Sequence, residues 1–94
     1  MKMKKASVIY YPGMPHVPVE PENGKFFTLK ELQTIVGGYI ECLSLKNNMT
    51  MVVNEDGKLE GLPYNDLATA IAHDSGYADI IVGPALVCPN KLIK

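Results

Sequence analysis

Residues 27–54 read F-T-L-K-E-L-Q-T-I-V-G-G-Y-I-E-C-L-S-L-K-N-N-M-T-M-V-V-N, and this stretch decides the fold. Thr28 and Glu31 stand three residues apart, the spacing of a capping box in which each side chain bonds the other's backbone amide. Phe27 precedes that cap and Leu32 follows at the fourth helical position, the arrangement of a hydrophobic staple. Leu29, Leu32 and Val36, with Ile35, make one apolar stripe at helical spacing. Gly37-Gly38 stops the helix, because glycine accepts the left-handed conformation of a C-terminal cap without penalty. The helix predicted over residues 28–36 is too short to hold alone in water, so it must lie on a sheet. Residues 39–45 and 49–54 supply strands, and the short Lys46-Asn47-Asn48 link pairs them as an antiparallel hairpin.

Working outward, residues 5–11 (KASVIYY) are rich in β-branched and aromatic side chains and read as a first strand. Pro12 and Gly13 end it. Residues 12–25 then read as a long proline-rich loop, extended by Pro12, Pro15, Pro18 and Pro21. Downstream, residues 54–58 form a second tight turn, with Gly57 expected at positive φ. A short return follows over residues 59–62. Asn65 is the expected cap of a second helix whose buried face is Leu67, Ala68, Ile71 and Ala72. Asp74-Ser75-Gly76 ends that helix. Residues 79–88 read as the last strand, bent at Gly83-Pro84, and residues 89–94 as a short tail with Lys91 and Lys94 in solvent. The element order predicts an α+β domain: a small, mostly antiparallel sheet of four to five strands with two short helices packed on one face. All 94 residues form a single domain with its ordered core over residues 5–88.

An apolar fraction of 47% with 20% charged residues is that of a globular chain and excludes disorder. A net charge of −1 provides no field for nucleic acid or an anionic membrane. The one like-charge cluster, Lys2, Lys4 and Lys5, reads as a solvated start. No apolar run is long enough to span a bilayer, and the charged start is followed by prolines rather than by the apolar segment of a secretory leader. The cytoplasm is therefore the expected location. Cys42 and Cys88 match no metal spacing and read as reduced, partly buried thiols.

The chemistry-bearing residues are sparse. His16 and His73 stand far apart and suggest no metal site; His73 falls where a helix dipole favours it. No serine or cysteine lies in an activating motif. Asn54-Glu55-Asp56-Gly57 lacks the alternate carboxylates of a calcium loop and reads as a turn. Gly61-Leu62-Pro63-Tyr64-Asn65 precedes a helix, so its amides can meet an anion or simply be capped by Asn65. Glu41 stands out as a carboxylate in an apolar strand. By alternation it shares a face with Tyr39 and Leu43. Tyr39 and Glu41 are thus candidate binding residues, with Tyr64, Asn65 and Thr69 on the second helix completing the surface. No catalytic residue, metal or cofactor is assigned.

Four blocks in fixed order resemble a known family: residues 27–41, then V-V-N-E-D-G-K-L (52–59), G-L-P-Y-N-D-L-A-T (61–69) and I-V-G-P-A-L-V (81–87). The family is a group of small proteins from phages, plasmids and bacterial genomes, catalogued as domain of unknown function 3846. Its recurring positions correspond here to Gly37, Gly38, Tyr39, Glu41, Asn54, Asp56, Gly57, Asn65 and Ala68. The resemblance covers about residues 6–88 and implies a mobile-element or host-associated accessory protein without a stated activity. The expected function is that of a non-catalytic interaction protein, a candidate homodimer, acting on a host protein or regulator. One alternative is sequestration of a small nucleotide-like molecule between subunits. Another is an enzyme with an unfamiliar site using Glu41.

Overall fold

The computed structural model describes residues 6–93. Lys2, Lys4, Lys5 and Lys94, read above as solvated, lie outside the described residues. Five strands form one antiparallel sheet: β1 (Ser7–Tyr10), β2 (Val17–Val19), β3 (Ile40–Leu45), β4 (Met49–Asn54) and β5 (Ala85–Pro89). Helix α1 (Leu29–Val36) lies between β2 and β3, and helix α2 (Asp66–Asp74) between β4 and β5. The spatial order is β2-β1-β5-β4-β3, so β5 enters last and sits at the centre. The α+β class and the antiparallel five-stranded sheet match the sequence reading.

The two helices, however, cover opposite faces rather than one. Leu32 and Val36 of α1 join Ile9, Val52, Leu86 and Cys88 in one core; Ala68 and Ala72 of α2 join Met51, Val53, Ala85 and Val87 in the other. Neighbouring residues of a strand point to opposite sides, so Met51, Val52 and Val53 belong to different layers. The near-continuous apolar character of β4 (MTMVVN) and β5 (ALVCP) has this cause: strands buried on both faces do not alternate polar with apolar.

Locally, α1 forms as its sequence demands. Thr28 Oγ1 accepts from the Glu31 amide at 3.1 Å, and Glu31 Oε1 accepts from the Thr28 amide at 2.8 Å. Gly37 caps the other end at φ 79°. Phe27 is 2% exposed, whereas Leu29 remains 58% exposed; Phe27 already fills the space beneath that end of the helix. The hairpin turn holds Asn47 and Asn48 at φ 61° and 60°, left-handed values that asparagine tolerates better than other side chains.

Glu31 does more than close its own cap. Its Oε2 accepts from the Glu22 amide at 2.9 Å, tying the proline-rich segment to α1. The bonds from the backbone amides of Thr28 and Glu22, in that order, hold the Glu31 carboxyl below its ordinary value of 4.5. A carboxyl depressed in the folded state stabilises the fold above its unfolded value and loses that contribution as pH falls through the folded one. Glu31→Gln is therefore expected to destabilise at neutral pH and to show no such penalty under acid. Urea midpoints of both proteins from about pH 6 to about pH 3 check this. A penalty constant across the range would refute it.

Several elements differ from the sequence reading. Of the first strand expected over residues 5–11, the described part spans Ser7–Tyr10, without Ala6 and Tyr11. The proline-rich loop of residues 12–25 contains strand β2, paired antiparallel with β1. Pro18 is tolerated there because β2 is an edge strand, where a missing N–H interrupts no ladder. Gly57 is not at positive φ. It is required for space: a Cβ there would lie 2.9 Å from Val82 Cγ2. Residues 59–61 form turns, with Glu60 N–H bonded to Asp56 O at 2.9 Å, and residues 59–62 contribute no strand. Residues 79–84 join no strand. They lead into β5 across its α2 side, with Ile81 in the α2-side core and Val82 paired to Tyr64 in an isolated antiparallel bridge outside the sheet, and Gly83 at φ 74° makes the bend into β5. In α2 the buried residues are Ala68, Thr69 and Ala72, while Leu67 is 48% exposed. The bonds of Asn65 and Thr69 to the chain above turn the helix this way. The expected tail is docked: Asn90–Leu92 make a 3-10 turn, and Leu92 and Ile93 rest on the α1-side core. Lys91 is exposed, as expected. No described helix is long and apolar enough to cross a membrane.

Candidate functional site

The sheet ends in two edges of different character. On one side β2 is three residues long with Pro18 at its centre, a short and proline-blocked edge of the kind that resists further pairing. On the other side β3 runs for six residues without proline or lysine. Glu55 N–H donates to Tyr39 O at 2.8 Å, which fixes the phase of the ladder. Tyr39, Glu41 and Leu43 turn their backbone groups toward β4, so those of Ile40, Cys42 and Ser44 point outward.

Part of this outer row is already occupied. Tyr77 Oη donates to Ser44 O at 3.0 Å, and the Lys46 amide donates to Ser75 Oγ at 3.1 Å. The segment after α2 thus covers the far half of the edge. Among the described residues, nothing bonds the outward backbone groups of Ile40 and Cys42.

Beside that free half lies a half-open cleft of about 330 Å³, bounded by β3, the end of β4 and the two segments that leave the sheet, residues 55–59 and 77–82. Its apolar walls include Leu43, Leu59, Tyr77 and Ile80, and its charged groups include Glu41 and Glu55. Leu59 is 88% and Ile80 46% exposed, a concentration of apolar surface that solvent does not favour. Lys58 also lines the cleft but is engaged by the Asp79 carboxylate. That hydrogen bond, aided by the Ile80 amide, holds the Asp79 carboxyl below its usual value. Neither Glu41 nor Glu55 has an ion-pair partner among the described residues.

The five residues expected to form one surface are distributed differently. Glu41 lines the cleft, and Tyr39 follows on the same face, 69% exposed. Tyr64 is 54% exposed at its bridge to Val82 and does not line the cleft. Asn65 and Thr69 are buried, at 0% and 3% exposure. Asn65 Nδ2 donates to Tyr10 O at 2.9 Å and to Gly83 O at 2.8 Å, while its Oδ1 accepts from the Ala68 amide at 3.1 Å. Thr69 Oγ1 donates to Asn65 O and accepts from the Ile81 amide at 2.9 Å. Both side chains are committed to holding α2 against β1 and the segment entering β5. The first amides of α2 are likewise taken, by Asn65 and by the Asp66 carboxylate, which leaves little there for an anion.

Of the positions on which the family resemblance rests, most are joints of the fold. Asn54 is buried and donates to Val36 O at 3.2 Å while accepting from the Asp56 amide. Gly38 lies against it, since a Cβ would meet Asn54 Nδ2 at 3.0 Å. Tyr39 and Glu41 are exposed and belong to no such joint. Lys58, Leu59, Tyr77 and Ile80 escaped the sequence reading. The one signal for them was the exposed apolar character of Leu59 and Ile80 beside turn residues.

The two thiols are free. Cys88 is buried, and that burial, with a smaller effect of Cys42, pushes its thiol up to about 12. Cys42 is exposed, yet partial desolvation and the Glu41 charge raise it too. Neither is an activated nucleophile, because the thiolate is the reactive form. Among the described residues no group of His, Cys, Asp and Glu is arranged to hold a metal ion.

Compared with curated proteins and with solved structures, the chain matches none. Its sequence over residues 3–91 matches the family described as Domain of unknown function (DUF3846), and with nearly the whole chain covered the protein belongs to that family.

Proposed function

We propose that this protein is a small, non-catalytic interaction module that takes an extended segment of a partner protein along the free half of β3. The observation that carries the reading is the asymmetry of the two sheet edges. One is closed by Pro18, while the other leaves the backbone groups of Ile40 and Cys42 outward and unpaired beside an apolar cleft. An unpaired edge is a template for strand addition, in which main-chain bonds give affinity and flanking pockets give specificity. In a phage, plasmid or bacterial setting the partner is a host protein or regulator, met in the cytoplasm. Glu41 then serves as a recognition residue rather than a base.

A displayed library of random peptides, selected on the folded protein, tests this. Bound peptides are expected to shift the amide resonances of Ile40 and Cys42 and to slow their hydrogen exchange. A footprint confined to Tyr64 and Asp66, or no recovered binder, would overturn the reading.

A further inference from the structure

We infer that the segment docking on β3 carries an arginine opposite Glu41 and an apolar residue opposite Leu43, both directed into the cleft. The inference rests on the strand-addition reading and specifies its ligand. Glu41 pairs with Val53 and Leu43 with Met51. Val53 and Met51 point into the α2-side core, so Glu41 and Leu43 share that face. A residue placed opposite either one in an added strand points the same way, because directly opposed residues of neighbouring strands share a face. The chemistry at each place is therefore set by what already stands there.

At Glu41 the requirement is a cation. Glu41 and Glu55 both line the cleft without an ion-pair partner among the described residues, and the cleft's lysine, Lys58, is held by Asp79. Tyr39 lies two residues along the same row, 69% exposed. Its ring is available to a guanidinium that bonds Glu41, and arginine suits both contacts through its planar, forked head. At Leu43 the requirement is apolar: Leu43 and Tyr77 form the wall there, with Ile80 and Leu59 beyond. The expected ligand reads apolar-x-Arg if it runs antiparallel to β3 and Arg-x-apolar if parallel.

A second copy of this chain fits less well. Antiparallel self-pairing about Cys42 sets Leu43 of each copy against the Glu41 carboxylate of the other. It also directs the Ile40 amide to the Ser44 carbonyl, which Tyr77 already occupies.

The test uses the folded chain with isotope-labelled amides and the peptide Thr-Val-Thr-Ile-Thr-Arg-Thr-Thr, its reversed order, and versions with glutamate in place of arginine. One arginine peptide is expected to bind at Ile40 and Cys42 about tenfold more tightly than its glutamate version. The preference should shrink with added salt and reverse in Glu41→Lys, a substitution at an exposed position. Equal binding of arginine and glutamate peptides at Ile40 and Cys42 would overturn the charge assignment and leave strand addition standing. No shift at those amides with any peptide would overturn both. A stable peptide-free dimer that already protects them would overturn the inference in favour of a second copy.

Discussion

Asn65→Ala is expected to remove a large part of the stability of this domain. Its side chain makes three hydrogen bonds that nothing else replaces: to Tyr10 O, to Gly83 O and from the Ala68 amide. A buried polar group left without a partner costs about 1–3 kcal/mol, so the loss should reach about 4 kcal/mol in all. Domains of this size are stable by about 5–15 kcal/mol. Asn65→Asp separates the two roles of the residue. It keeps an oxygen to cap the helix, a role worth about 1 kcal/mol, but removes both donors and faces a carboxylate toward two carbonyls. Denaturant midpoints should therefore place Asn65→Asp close to Asn65→Ala. If aspartate restored most of the stability, capping rather than tethering would be the residue's main task.

Phe27→Ala is expected to cost about 3–5 kcal/mol, the range for deleting a buried aromatic ring. Phe27 is 2% exposed among Leu32, Val36 and Leu86. Its backbone also donates to Leu92 O at 2.8 Å and bridges Ile93 in parallel, so the cavity opens where the end of the chain docks. Phe27→Leu keeps much of the volume and should cost far less. Leu29→Ala, two residues along but 58% exposed, should stay within about 0.5 kcal/mol. Thermal or urea unfolding of the three variants checks the ranking. Similar losses at Phe27 and Leu29 would mean that the apolar stripe, and not the residue before the cap, anchors α1.

These two residues also mark where the sequence was legible. Phe27 stood out because a staple is read from spacing alone, and Leu32 confirmed the pattern within one turn. Asn65 stood out only as a cap. Its two other bonds reach residues 55 and 18 positions away, and no local pattern records them. Asn65 and Thr69 consequently read as surface candidates, although they are buried joints. Glu41 was found because a lone carboxylate in an apolar strand is a local anomaly. The rest of the cleft was not, because Lys58 and Asp79 meet across 21 residues and Tyr77 reaches Ser44 across 33.

By itself the sequence determined what bonds of short reach determine: the capping box of Thr28 and Glu31, the glycine stop at Gly37, the β3–β4 hairpin through Asn47-Asn48, the cap at Asn65, and from their order the α+β class. Only the tertiary structure decided that α1 and α2 lie on opposite faces, that β5 enters between β1 and β4, that a proline-rich stretch supplies an edge strand, and that half of β3 stays open. Each of these depends on which apolar surfaces meet after the chain closes on itself. Burial is non-directional, and it leaves no periodic mark that distinguishes one partner from another.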